Sequence, residues 1–129
     1  MVNDSFEQLL NNLAKKRPTK KVNSLTYFYF KDHPVFLLSG QMEGIHWMDI
    51  FIELPRFRAD NLNTCKKLLL SNREMATATP IPTWFAAGDK GEVLFVNRLD
   101  WQHVSADVLD DHILRCIEQM SEALVAEGA

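Results

Sequence analysis

Three strand-like runs joined by short turns constrain the fold of this chain most strongly. The longest, Ile45 to Leu54, alternates in polarity, and one of its sides is wholly apolar, made of Met48, Ile50, Ile52 and Leu54. The aromatic run Leu25 to Phe30 and the run Val35 to Ser39 precede it, with a break at Asp32-His33-Pro34 and a turn bracketed by Gly40 and Gly44. Connections this short join antiparallel strands, so we predict a three-stranded meander that ends at Pro55.

Helical periodicity appears on both sides of this meander. Asp4 and Glu7 have the spacing of a capping box, which predicts a helix that closes before Pro18. Its expected apolar face comprises Phe6, Leu9, Leu10, Leu13 and Ala14. A second helix is predicted after Asp60 or Asn61, with Leu62, Cys65, Leu68, Leu69 and Asn72 at helical spacing.

Two further strands and a last helix complete the predicted order. Thr83 to Ala87 and Glu92 to Leu99 flank the turn signal Gly88-Asp89-Lys90-Gly91, which predicts a hairpin. Ser105 is expected to cap the last helix, Gly128 lies past its end, and its apolar stripe is Leu109, Ile113, Cys116, Ile117, Met120 and Leu124. The predicted fold is α+β in the order α-β-β-β-α-β-β-α, with helices packed on a twisted antiparallel sheet of five strands.

Size and composition narrow the class of protein further. The 129 residues fit one domain, residues 1–129, and an apolar share of 47% is enough for a packed core. The net charge of −3 argues against a general nucleic-acid binder. No window approaches the roughly 18 apolar residues of a membrane span, and the first residues do not resemble a secretory signal. We therefore expect a cytoplasmic protein that binds neither nucleic acid nor membrane.

A basic run keeps one alternative open. Residues 15–21 contain five Lys or Arg side chains, and Tyr27 and Tyr29 follow soon after. Basic residues near aromatic ones are typical of single-strand binding. The alternative hypothesis is therefore a regulatory module of the same fold that contacts nucleic acid through residues 15–21.

The sequence contains no pattern that predicts catalysis. His112 and Cys116 have i, i+4 spacing, which would supply half a zinc site, but no second pair is available. Cys65 and Cys116 lie on predicted apolar faces, where a reduced cysteine packs as a small hydrophobe. The glycines of the GDKG turn lie between two strands and do not form a phosphate loop. We predict no catalytic residues, no metal and no cofactor.

The aromatic strands carry more apolar surface than three helices can cover. Leu25 to Phe30 is apolar or aromatic on both sides, and so is Val35 to Leu38. Trp47 and Phe51 add aromatic groups opposite the expected core side of the third strand. Surplus apolar surface of this kind usually marks a partner site, so we predict a protein that works by binding another polypeptide.

The order of elements, with three segments of sequence, resembles the class I type III secretion chaperones, the CesT-like or Tir chaperone family. The segments are SFEQLLNNLAKK, ADNLNTCKKLLLSN and the closing run GEVLFVNRLDWQHVSADVLDDHILRCIEQMSEAL. The resemblance covers nearly the whole chain but includes no catalytic signature. The basic loop after the first helix and the proline-rich TATPIPT depart from the family pattern.

This resemblance implies a homodimer in the bacterial cytoplasm that binds the N-terminal region of a secreted effector in extended form. It implies no nucleotide hydrolysis by the chain itself, and the secretion ATPase is a further expected partner. By analogy, the dimer contact would use Leu62, Leu69, Leu70, Trp84 and Phe85. The effector would lie on the first helix and the first three strands, at Phe6, Leu10, Tyr27, Tyr29, Phe36, Leu38, Trp47 and Phe51.

Overall fold

A computed structural model describes residues 3–22, 25–40, 44–78 and 81–126, with side chains as far as Met120. Three helices accompany the strands: α1 (Phe6–Ala14), α2 (Leu62–Ala78) and α3 (Ala106–Ala126). The strands are β1 (Lys20–Val22), β2 (Leu25–Phe30), β3 (His33–Ser39), β4 (Trp47–Arg58), β5 (Thr83–Ala87) and β6 (Glu92–Asp100). A short 3₁₀ turn, Trp101–His103, joins β6 to α3.

All six strands form one antiparallel sheet in the order β1-β2-β3-β4-β6-β5. This confirms the predicted α+β class, and the five longer strands follow one another along the chain as predicted. The expectation of five strands was wrong by one, because Lys20–Val22 pairs with β2 inside the segment interpreted as a basic loop. All three residues of β1 are exposed, so no alternation of polarity marked them as a strand.

The β2–β3 hairpin turns at Lys31 and Asp32, earlier than the predicted break at Asp32-His33-Pro34. The register between β3 and β4 begins at Val35 paired with Ile52, and the preceding residue, Pro34, has no N–H that could extend it to the carbonyl of Glu53. Nδ1 of His33 lies 2.9 Å from the carbonyl oxygen of Glu53 and donates to it instead. Because the ring supplies the missing donor, proline is tolerated within a strand that pairs on both sides.

The turn residue Lys31 has a left-handed backbone conformation, with φ of 54°. A side chain at positive φ costs free energy that glycine avoids, although glycine also makes the unfolded chain more flexible. We expect Lys31→Gly to raise the free energy of unfolding by about 0.5–1 kcal/mol, measured by urea denaturation. Asp32→Gly is the control, because its φ is not positive, and it should destabilise. If Lys31→Gly instead lowers the free energy of unfolding, the positive φ of Lys31 does not strain the backbone.

Strand β4 runs beyond its predicted end at Pro55. Its register with β6 is regular up to Glu53 paired with Leu94 and resumes at Arg58 paired with Glu92. Pro55 falls inside this irregularity, where a missing ladder donor is tolerated. The predicted turn between Gly40 and Gly44 includes residues 41–43, which lie outside the described residues, as does Gly128.

The core lies on one side of the sheet, called here the inner face, beneath α1 and α3. The predicted apolar side of the third strand is confirmed, since Met48, Ile50, Ile52 and Leu54 are all buried. Neighbouring strands add Phe28, Phe30, Val35, Leu37, Val93, Phe95 and Phe85. The α3 stripe is confirmed for Leu109, Ile113, Cys116 and Ile117, which are buried, and for Met120, which packs against the core. The side chain of Leu124 lies outside the described part.

Serine hydroxyls cap α1 and α3. Ser105 accepts from the N–H of Val108, as predicted. Ser5, and not Asp4, is the N-cap of α1, with its Oγ 3.1 Å from the N–H of Gln8. In place of the capping box expected between Asp4 and Glu7, the side-chain oxygen of Gln8 accepts a hydrogen bond from the backbone N–H of Asp4.

Hydrogen bonds and ion pairs fasten the start of the described chain to its last elements. The side-chain amide of Asn3 donates to the carbonyls of Trp101 and Val104, at 2.8 and 2.7 Å. Beyond α1, Arg17 pairs with Asp110 of α3 at 2.7 Å. Among the described residues, no helix is both long and apolar enough to cross a membrane.

Candidate functional site

One face of the sheet is left open by the helices. The strand register places Tyr27, Phe36, Phe51, Val96 and Trp84 in one row on the side opposite the core. We call this side the outer face; its exposed or half-buried apolar members are Leu25, Tyr27, Tyr29, Phe36, Leu38, Trp47, Phe51, Trp84 and Leu94. In the described part of the chain, α1 and α3 pack on the inner face and α2 packs beside β5.

Aromatic rings and aliphatic side chains form a continuous surface on the outer face. The rings of Tyr27 and Phe36 are stacked, with centroids 5.6 Å apart and planes at 21°. Tyr29 meets Tyr27 edge-on at 5.6 Å and remains 57% exposed. Beside them an open groove of about 380 Å³ is lined only by Leu25, Phe36, Leu38, Phe51 and Leu94. A lining without polar groups suits apolar side chains of a partner.

An ion pair between Asp49 and Arg98 lies at one end of the outer face. Asp49 is buried, and its carboxylate accepts from Nε and Nη2 of Arg98 at 2.7 and 3.1 Å. The guanidinium also lies 4.0 Å from the ring centroid of Trp47. Hydrogen bonding to Asp49 raises the pKa of Arg98 above its ordinary value. The two charges neutralise each other, so this end of the face stays compatible with apolar contacts.

Six of the eight side chains predicted to bind an effector lie together on the outer face: Tyr27, Tyr29, Phe36, Leu38, Trp47 and Phe51. The two from α1 do not join them. Leu10 is 5% exposed and belongs to the core, so its prediction as a surface contact needs correction. Phe6 is half-buried on the helix side, 6.2 Å from the ring of Trp101. Leu94 was missed, because Val93, Leu94 and Phe95 are all apolar and no alternation shows which side is open.

The residues predicted for a dimer contact separate into two groups. Leu62, Leu69 and Leu70 form an exposed stripe on α2, called the α2 stripe, with exposures of 71, 67 and 59%. Lys66 and Arg73 flank an open groove of about 420 Å³ at Leu69 and Leu70. Trp84 is half-buried on the outer face. Phe85 is buried in the core against Phe95, so its prediction as an interface residue needs correction.

Helix α2 divides its apolar residues between the core and solvent. Leu68 is buried in the core and Met75 packs against it, whereas Leu62 and Leu69, predicted on the same side as Leu68, face solvent. Asn72 replaces a neighbouring strand at the β5 edge: its Nδ2 donates to the Phe85 carbonyl at 2.9 Å, and its Oδ1 accepts from the Phe85 N–H. This contact occupies the β5 edge at Phe85, while the apolar α2 stripe faces solvent.

Ion pairs occupy much of the basic run at residues 15–21. Lys16 pairs with Asp107, Arg17 with Asp110, and Lys21 with Glu7 at 3.0 Å. These contacts engage three of the five cations of the run with carboxylates of the same chain. Lys16 and Arg17 would have to leave the carboxylates of α3 to contact nucleic acid, so the geometry at these two positions does not favour the alternative hypothesis.

A cavity of about 410 Å³ between α3 and the β5–β6 hairpin holds a Cys-His-Asn group. Nε2 of His112 lies 2.9 Å from Oδ1 of Asn97 and 3.5 Å from Sγ of Cys116. A nucleophilic triad needs different imidazole nitrogens for the thiol and the orienting amide, and here one nitrogen meets both. Burial raises the pKa of Cys116 to about 11, and burial followed by the charge of Arg115 lowers the pKa of His112. The arrangement is a packed polar contact.

No cluster of three or more His, Cys, Asp or Glu side chains suited to a metal occurs in the described part.

We expect Cys116 to be almost inert toward maleimide in the folded protein. A pKa of about 11 leaves about a hundredfold less thiolate near neutral pH than the ordinary value of 9.0. The Cys65→Ser variant isolates Cys116 for measurement by mass spectrometry, and Cys116→Ser isolates the more accessible Cys65. Labelling of the folded Cys65→Ser variant as fast as that of a free thiol would contradict the buried geometry.

Comparison with known proteins adds no relative. The chain matches no model of a known protein family, and no curated protein matches it. What this chain does must therefore be inferred from the outer face, the α2 stripe and the sheet edges.

Proposed function

We propose that this chain is a class I type III secretion chaperone of the bacterial cytoplasm, which binds the N-terminal region of an effector in extended form and keeps it soluble and secretion-competent. The observation that carries the proposal is the outer face, a sheet surface with several aromatic side chains and no helix over it in the described part. The resemblance of the element order to this family supplies the particular kind of client.

An extended client suits the shape of this surface. A strand places alternate side chains on one side, so two or three of them can reach the groove at Leu38 and Phe51 together. Ordering a free segment costs about 1–2 kcal/mol per residue. Burial of apolar surface stabilises the complex by about 25 cal/mol per Å². Binding therefore needs several anchors at once, and the continuous apolar surface provides them.

The homodimer is the second part of the proposal. The α2 stripe is apolar and exposed, and a twofold contact between two such helices would bury Leu62, Leu69 and Leu70. A dimer presents two outer faces to one client, which raises the effective concentration for the second contact. The released client then passes to the secretion ATPase.

Substitution of residues that line the groove on the outer face tests the proposed function. Leu25→Asn/Leu38→Asn should weaken binding of the client about a hundredfold, or about 2.7 kcal/mol. Full burial of a leucine is worth about 1.5–3 kcal/mol, and each of these two is already half-buried in the groove of the free chain. The proteins to be tested as clients are those encoded beside this chain's gene, because chaperones of this family are often encoded next to their clients. The N-terminal region of each is labelled for fluorescence anisotropy and also co-expressed to measure its soluble fraction.

Val108→Asn serves as the matched control, since Val108 is 53% exposed on α3, away from the outer face. It should leave the affinity for the client unchanged. Circular dichroism and thermal unfolding establish that each variant is folded. If the folded double variant keeps the wild-type affinity, the outer face is not the binding site and the proposed function fails.

A further inference from the structure

The two edges of the sheet differ in their availability to another strand. At β5, the side chain of Asn72 occupies both the N–H and the carbonyl of Phe85. At the opposite end, β1 pairs with β2 on one side, and within the described part no other strand or helix pairs with its second side. All three residues of β1 are exposed. A further strand can therefore hydrogen-bond to this sheet beside β1 and not beside Phe85.

Edge strand β1 carries a lysine on each face of the sheet. Lys20 is paired in register with Tyr27, which places its ammonium on the outer face. Lys21 is paired with Thr26 and lies on the inner face, where it contacts Glu7 at 3.0 Å. Both members of that ion pair are about 60% exposed, so the pair holds Lys21 only weakly. A strand added beside β1 meets a positive charge whichever way its side chains point.

The edge also continues into the apolar part of the outer face. Val22 is 54% exposed and is paired in register with Leu25, which lines the groove. Apolar side chains of an added strand that point to the outer face would thus extend the surface of Leu25 and Tyr27. Its side chains on the inner side would approach Lys21.

We propose that β1 selects an acidic strand, in which apolar residues on one side alternate with Asp or Glu on the other. Opposite charges on directly neighbouring strands stabilise their pairing, and like charges destabilise it. The same rule disfavours a second copy of this chain at β1, because antiparallel self-pairing would bring lysine against lysine. This inference rests on the proposed function and specifies which segment of a client is recognised.

Three synthetic peptides of equal length test the charge preference: valine alternating with glutamate, with serine or with lysine. Their affinities for the full chain are measured by fluorescence anisotropy at low and at high salt. We expect the glutamate peptide to bind about fivefold more tightly than the serine peptide, and the lysine peptide to bind most weakly. Salt should reduce these differences. Changes in the NMR amide signals of residues 20–22 should locate the glutamate peptide at β1.

The charge-reversed variant Lys20→Glu/Lys21→Glu should invert the order of the three peptides. Arg56→Glu/Lys90→Glu changes the net charge equally on exposed residues of β4 and of the β5–β6 turn, and should keep the wild-type order. Equal affinity of all three peptides would overturn the inference while leaving the proposed function intact, because the groove variants test that function with the natural client.

Two other outcomes would also overturn the inference. One is that none of the peptides binds to the folded chain. The other is that Lys20→Glu/Lys21→Glu shifts the association state in sedimentation experiments while the glutamate peptide leaves the signals of residues 20–22 unchanged, because β1 would then be occupied by a second copy.

Discussion

If the unaltered chain is the proposed dimer, we expect the variant Leu69→Glu/Leu70→Glu to be monomeric at the same concentrations. Both leucines are mostly exposed on the α2 stripe, at 67 and 59%, so carboxylates there do not disturb the core. In a twofold contact the four new carboxylates would face one another, and juxtaposed like charges cost several kcal/mol. A loss of about 3–4 kcal/mol weakens the dimer by a few hundredfold.

Sedimentation equilibrium measures this change directly. Val108→Glu is the matched control, because it places a carboxylate on an exposed apolar position of α3 without touching the α2 stripe. Circular dichroism should show the same helix content in all three proteins. A double variant that remains dimeric with wild-type affinity would show that the dimer uses another surface. An unaltered chain that is monomeric at every concentration would remove the dimer from the proposal.

Arg98→Met is expected to lower the free energy of unfolding by about 2–3 kcal/mol. The substitution leaves the carboxylate of Asp49 without its partner, and the side chain of Asp49 is only 10% exposed. Breaking a buried ion pair on one side costs about 3–5 kcal/mol. The value is discounted here because the side chain of Arg98 is 39% exposed and solvent reaches the pair.

A double-mutant cycle separates the lost attraction from the stranded charge. Arg98→Met/Asp49→Leu removes both charges and should recover most of the stability lost in Arg98→Met. Urea denaturation of the unaltered chain, Arg98→Met, Asp49→Leu and the double variant gives the coupling free energy between the two side chains. A double variant as unstable as the single one would mean that the guanidinium acts through Trp47, on whose ring it also lies.

The periodic elements could be predicted from the sequence because burial on one side leaves a repeating pattern. Met48 to Leu54 alternates, and the side that the pattern assigned to the core is buried. The stripe on α3 was predictable for the same reason. Strand β1 could not be found in this way, since its three residues are all exposed and its partner is the neighbouring strand β2.

The choice of face was harder to predict where both sides of an element are apolar. Leu9 and Leu10 are both buried. The sequence of α1 alone does not indicate that both leucines face the core and that neither is left for a partner. Trp84 and Phe85 are successive residues of one strand and must point to opposite faces, so a dimer contact assigned to both could hold for one at most. The ion pair between Asp49 and Arg98 joins residues 49 positions apart, which no local pattern reveals.

The fastening of Asn3 and Arg17 to the last elements has a consequence for the order of events during translation. Helix α1 is synthesised before α3, but the carbonyls that Asn3 binds and the carboxylate that Arg17 binds belong to residues 101–110. The hydrogen bonds that hold α1 in place can therefore form only after residues 101–110 have been synthesised. A nascent chain stalled before Trp101 should stay sensitive to protease along α1, and resistance should arise only after α3 emerges.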